Sequence, residues 1–99
     1  MHPLMSELER RWDVMFKALV DGDDVPPAQR LRTEGMMESA VLLEVASVAD
    51  LLLAMDSSYR SAYGRGLAED FGADWQDFYP FPQIPAMGRR APVYPSTSD

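Results

Sequence analysis

Residues that can carry chemistry are few in this 99-residue chain, and their spacing is poor for it. Acid–base or nucleophilic catalysis needs groups of shiftable proton affinity held together in a pocket. The single histidine, His2, sits at the second position, and there is no cysteine, so no Ser-His-Asp or Cys-His set can be assembled. The lack of cysteine also excludes a disulfide framework, cysteine-ligated zinc and thiol catalysis. Asp21, Asp23 and Asp24 resemble the start of a calcium loop. Counting from Asp21, however, Arg32 stands at the twelfth position, where a glutamate is required, and Pro26 and Pro27 spoil the loop. Glu34 and Glu38 lie four apart on one helix face, but no histidine follows as a di-metal bundle demands. Gly64-Arg65-Gly66 lacks the strand and the lysine of a phosphate loop and reads as a helix stop. The expectation is a chain with no catalytic, cofactor-binding or metal-binding residues, and therefore not an enzyme.

Charge points the same way. The formal net charge is -7, and the basic residues are scattered, with only Arg10–Arg11 and Arg89–Arg90 adjacent. Affinity for nucleic acid rests on clustered Lys and Arg, so direct DNA or RNA binding is not expected. The longest apolar stretch, residues 40–55, is interrupted by Glu44, Ser47 and Asp50 and is too short and too charged to span a membrane. The N-terminal residues lack the basic-then-apolar pattern of a signal peptide. These features predict a soluble, cytoplasmic protein whose partner is another protein.

The elements follow from apolar spacing. Residues 6–20 predict a first helix, opened by a Ser6-x-x-Glu9 capping box. Met5, Leu8, Trp12, Met15 and Leu19 make one stripe along it, widened by Phe16. Gly22, Pro26 and Pro27 end it, and the short loop favours an antiparallel hairpin. A second helix is expected from 27 or 28 to about 63, with Gly35 as a weak point. It would reach roughly 54 Å, about twice the first helix, leaving apolar surface that one short helix cannot cover.

The middle of that long helix, residues 39–55, is its most informative part. Val41, Val45, Val48, Leu52, Met55 and Tyr59 repeat at steps of four and three. A second stripe, Leu42, Ala46, Ala49 and Leu53, lies beside the first, with Leu43 and Leu51 further round. An ordinary surface helix carries one apolar stripe and a polar back. These positions, namely Val41, Leu42, Val45, Val48, Ala49, Leu52, Leu53, Met55 and Tyr59, are the candidate partner or dimer interface. Residues 67–79 predict a short third helix, with Gly72 weakening it. Its aromatics Phe71, Trp75 and Phe78 are a candidate rim of the binding surface.

Residues 1–79 thus form one helical domain, followed by an extended Pro-rich tail over 80–99, which contains five prolines. The fold class is all-α: a small helical hairpin with one long apolar central helix, a short third helix and the tail. A core this small is often completed by pairing, so a helical homodimer is expected.

The segments LERRWDVMFKALVDG and ESAVLLEVASVADLLLAMDSSYR, with the acidic-aromatic and proline-rich end, resemble the small quorum-sensing antiactivators of pseudomonads in size and layout. The resemblance implies a homodimer that binds a LuxR-type transcription factor, LasR, at its dimerisation surface. A receptor that cannot pair cannot grip a two-fold symmetric DNA site. Composition alone suits a second class equally: a small acidic helical chaperone or immunity-type protein that binds a secreted effector or toxin.

Overall fold

The structure, a computed structural model, describes residues 2–81. Most of the expected tail lies outside the described residues. The order is α1 (Pro3–Val20), α2 (Pro27–Leu42), α3 (Val48–Tyr63), α4 (Leu67–Phe71) and a 3-10 turn (Trp75–Phe78). The fold is all-helical, with no strand among the described residues. No helix of the described residues is long and apolar enough to cross a membrane.

Helix α1 begins three residues before the expected capping box. Pro3 occupies the first turn, where its missing N–H costs nothing and its fixed φ suits the helix. The His2 Nδ1 atom accepts a bond from the Leu4 amide at 3.1 Å. The Ser6 amide already donates to the His2 carbonyl, so Ser6 lies inside the helix. The apolar stripe holds as read: Leu8, Trp12, Met15, Phe16 and Leu19 are all buried. Gly22, at φ 94°, closes the helix with paired bonds from Asp23 to Ala18 and from Gly22 to Leu19.

The long second helix does not exist as one element. It is cut into α2 and α3 by a turn over 43–47. Gly35, the expected weak point, remains helical. The cut comes instead at Glu44, whose φ of 58° lies in the left-handed region. The Val45 amide reaches back to the Ala40 carbonyl at 2.8 Å, and the Glu44 amide to Val41 at 3.0 Å. This is the bonding of a glycine-type helix end, built here on a glutamate. Ser47 then starts α3 with a reciprocal cap. The Asp50 amide donates to the Ser47 hydroxyl at 3.1 Å, and the Ser47 amide donates to the Asp50 carboxylate at 3.2 Å. The reversal reduces the apolar surplus, because both halves now pack onto α1.

Helix α1 is the centre of that packing. It lies against α3 over most of its length and against α2 more briefly. The buried cluster joins its stripe to Met37 and Ala40 of α2, to Leu51, Leu52, Met55 and Tyr59 of α3, and to Leu67, Trp75 and Phe81 beyond. Thr33 is fully buried and its hydroxyl is satisfied by the Gln29 carbonyl at 3.0 Å. Gly64, at φ 75°, ends α3 as expected. The third helix of the sequence reading, 67–79, is split by Gly72 at φ 95° into α4 and the 3-10 turn.

Two substitutions weigh these local choices. Gly35 meets nothing within 4 Å at a virtual Cβ and sits in a helix interior. Gly35→Ala should therefore raise unfolding stability by about 1 kcal/mol. Ser47→Ala should lower it by about 1 kcal/mol through loss of the cap. Urea melts followed by circular dichroism measure both.

Candidate protein-binding surface

The candidate interface positions divide between the inside and the outside of the domain. Leu52, Met55 and Tyr59 are buried in the chain's own core. Val41 and Val45 are partly buried and packed against that core, as is Ala46. Trp75 is buried and Phe71 partly so, both against the helices rather than at a rim. The Phe78 side chain lies outside the described residues. Most of the first stripe is therefore intramolecular, and only Val48 at its edge stays open, at 40% exposure.

The second stripe behaves differently. Leu42 is 82% exposed, Leu43 66% and Leu53 66%. Ala49, one turn from Leu53, is exposed as well. Among the described residues six large hydrophobic side chains are exposed, and four of them fall in the span 42–53. The other two, Val14 and Leu31, stand on α1 and on the first turns of α2. Single exposed leucines are ordinary, whereas a group of them about one turn of the chain makes a candidate contact surface. Glu44 and Asp50 are exposed within the same span and give the corner an acidic border.

The corner is shaped by local geometry as well as by the packing of Val45 and Ala46 on the core. Leu42 ends α2, Leu43 caps it, and Glu44 turns the chain in the left-handed conformation. A non-glycine residue there costs on the order of 1 kcal/mol. The Ser47–Asp50 cap then fixes the direction of α3, and with it the bearing of Val48, Ala49 and Leu53.

Tyr59, expected at an interface, ties the elements together instead. Its ring meets Phe16 edge-on at 5.4 Å, stacks on Tyr63 at 4.1 Å and meets Phe71 at 6.1 Å. Its hydroxyl donates to the Asp70 carboxylate at 2.5 Å, and Arg65 pairs with the same carboxylate at 2.8 Å. Burial, then the hydrogen bond to Asp70, and then its negative charge push the Tyr59 phenol above its ordinary value. The Tyr59 hydroxyl, followed by Arg65, holds Asp70 below its ordinary value despite partial burial. The sequence pattern carried no sign of this role, because a tyrosine in an apolar stripe reads the same whichever side it faces. Among the described residues no group of three or more His, Asp or Glu side chains is placed to hold a metal ion.

Comparison of the chain with protein-family models, with curated proteins and with solved structures returns no match.

The geometry generates two expectations. Leu52 is 3% exposed and Leu53 is 66% exposed, so a glutamate should be severe at the first position and nearly neutral at the second. Leu52→Glu should cost at least about 4 kcal/mol by burying an unpaired charge, whereas Leu53→Glu should stay within about 0.5 kcal/mol of the parent. Thermal melts separate them. The second concerns pH. A carboxylate lowered in the fold stabilises above its ordinary value of about 3.9 and loses that stability as pH falls below it. A phenol raised in the fold stabilises below about pH 10 and loses that stability above. Melting temperature should fall on both sides of this plateau. Tyr59→Phe should soften the alkaline fall and raise the Asp70 titration midpoint, as read by carboxyl NMR.

Proposed function

We propose that the chain is a non-catalytic regulatory binding protein that holds a LuxR-type transcription factor such as LasR in a form unable to dimerise and therefore unable to bind DNA. The observation that carries this reading is the exposed apolar corner of Leu42, Leu43, Val48 and Leu53 on an otherwise well-packed domain. The resemblance in size and helical layout to the quorum-sensing antiactivators supplies the partner class.

The energetics are adequate for competition at a dimer interface. Burying four such side chains is worth about 6–12 kcal/mol, at roughly 1.5–3 each. Association costs on the order of 4–15 kcal/mol, so the polar border must contribute as well. An acidic chain has a further effect on a DNA-binding partner. At a net charge of -7 it repels the phosphate backbone that the receptor must approach.

In the same reading the chain acts as a homodimer, with a second copy as the competing occupant of the corner. Sedimentation of the chain alone, as parent and as Leu53→Glu, shows whether self-pairing uses this surface.

The decisive experiment mixes the purified chain with a purified, ligand-bound LuxR-type receptor. The expected result is loss of the receptor homodimer by sedimentation, loss of its DNA complex by gel shift, and loss of both effects with Leu42→Glu or Leu53→Glu. A receptor that stays dimeric and DNA-bound at saturating chain overturns the reading. An effector or toxin then becomes the expected partner, to be sought by capture from native lysate.

A further inference from the structure

We infer that the groove between α1 and α3 seats a basic turn of the partner, so that the segment the chain binds is an amphipathic helix with apolar residues followed by Lys or Arg. This deepens the proposed function and rests on it for the identity of the corner. Two adjoining depressions, of about 300 and 310 Å³, lie between the helices. Glu9, Asp13, Ala54, Ser57, Ser58 and Ser61 line one of them. Asp13, Ser58 and Ser61 are shared with the other, which continues to Lys17, Val20 and Ala62. The two helices run in the same sense here, since Glu9 faces the groove with Ala54 while Val20 faces it with Ala62.

Three features point to a cationic occupant. Glu9 and Asp13 lie one turn apart on α1, and neither carboxylate makes a hydrogen bond or ion pair among the described residues. Like charges at that spacing repel, so a counter-charge from outside relieves them. Lys17, the one cation of the groove lining, is turned to Asp21 at 3.5 Å. Ser58 is 93% buried, since its exposure is 7%, and it lines both depressions. Its hydroxyl opens onto the groove rather than being sealed in the core, where the buried atoms without a partner are Trp12 Nε1 and the Tyr63 hydroxyl. An ammonium or guanidinium group entering between these carboxylates would satisfy that hydroxyl as a donor.

The groove also continues the apolar corner. Leu53 precedes Ala54, and Ser57 and Ser61 follow Leu53 at one and two turns, about 6 and 12 Å along α3. The small side chains Ala54, Ser57 and Ser61 let a helix approach closely. A helix laid along α3 in the same sense, anchored by apolar residues on Ala49 and Leu53, carries its next two turns over Glu9 and Asp13, where Lys or Arg is complementary.

The test uses the full chain and an alanine-based helical peptide of about 18 residues. The peptide carries two leucines one turn apart, followed one and two turns later by lysines. A control peptide has glutamates in place of the lysines. The expected results are binding of the lysine peptide only, an affinity that falls with salt, and a loss of at least about tenfold in the Glu9→Lys, Asp13→Lys double variant. Ser58→Ala should weaken binding about threefold while leaving the melting temperature unchanged or higher. Equal binding of the two peptides, no binding of either, or an unchanged affinity in the folded double variant overturns the inference. The receptor experiment separates the two readings. Receptor capture that is lost with Leu53→Glu but indifferent to the double variant leaves the function standing and removes the groove. Lysine-peptide binding without receptor binding does the reverse.

Discussion

The reciprocal cap between Ser47 and Asp50, set directly after the left-handed turn at Glu44, is the constraint on which the arrangement depends. Without a reversal at this point, residues 27–63 would extend about twice as far as α1, and half of their apolar stripe would face water. The reversal lays two helices along one. Met37 and Ala40 of α2 and Leu51, Leu52, Met55 and Tyr59 of α3 then join the α1 stripe in one buried cluster. A chain of this size has little core to spare, so the placement of one turn decides whether the core closes.

The second tie is aromatic and ionic together. Tyr59 brings Phe16 of α1 and Phe71 of α4 against one ring, and its hydroxyl carries the Asp70–Arg65 pair that fixes the end of the domain. Asp56 adds to this by accepting the first amide of α4, from Leu67, at 2.7 Å. A five-residue helix such as α4 has little stability of its own, so these contacts are what define it.

The consequence for function is a separation of two surfaces that are interleaved in the sequence. Leu52 and Leu53 are neighbours, yet one is sealed in the core and the other faces water. Leu53 directly precedes Ala54, which lines the polar groove with Glu9 and Asp13. In the proposed reading, an apolar anchor beside an acidic seat would give both affinity and a means of choosing between partners, because the charge discriminates where the leucines do not.

The sequence by itself determined the helical class, the buried face of α1, the stop at Gly64 and the weakness at Gly72, because each rests on local periodicity or on a glycine that needs an unusual φ. It also contained the signal for the break in the long helix. Ser47-x-x-Asp50 is a capping box, but within an apolar run it read as an interruption. The preceding turn uses Glu44 where glycine is usual, so no breaker marked it. Which of the two stripes would be spent on the core was not legible at all. Val45, Leu52 and Met55 differ little in kind from Leu42, Ala49 and Leu53. Only the direction in which α3 returns along α1 distinguishes them, because burial is a property of what lies opposite a side chain and not of the side chain itself.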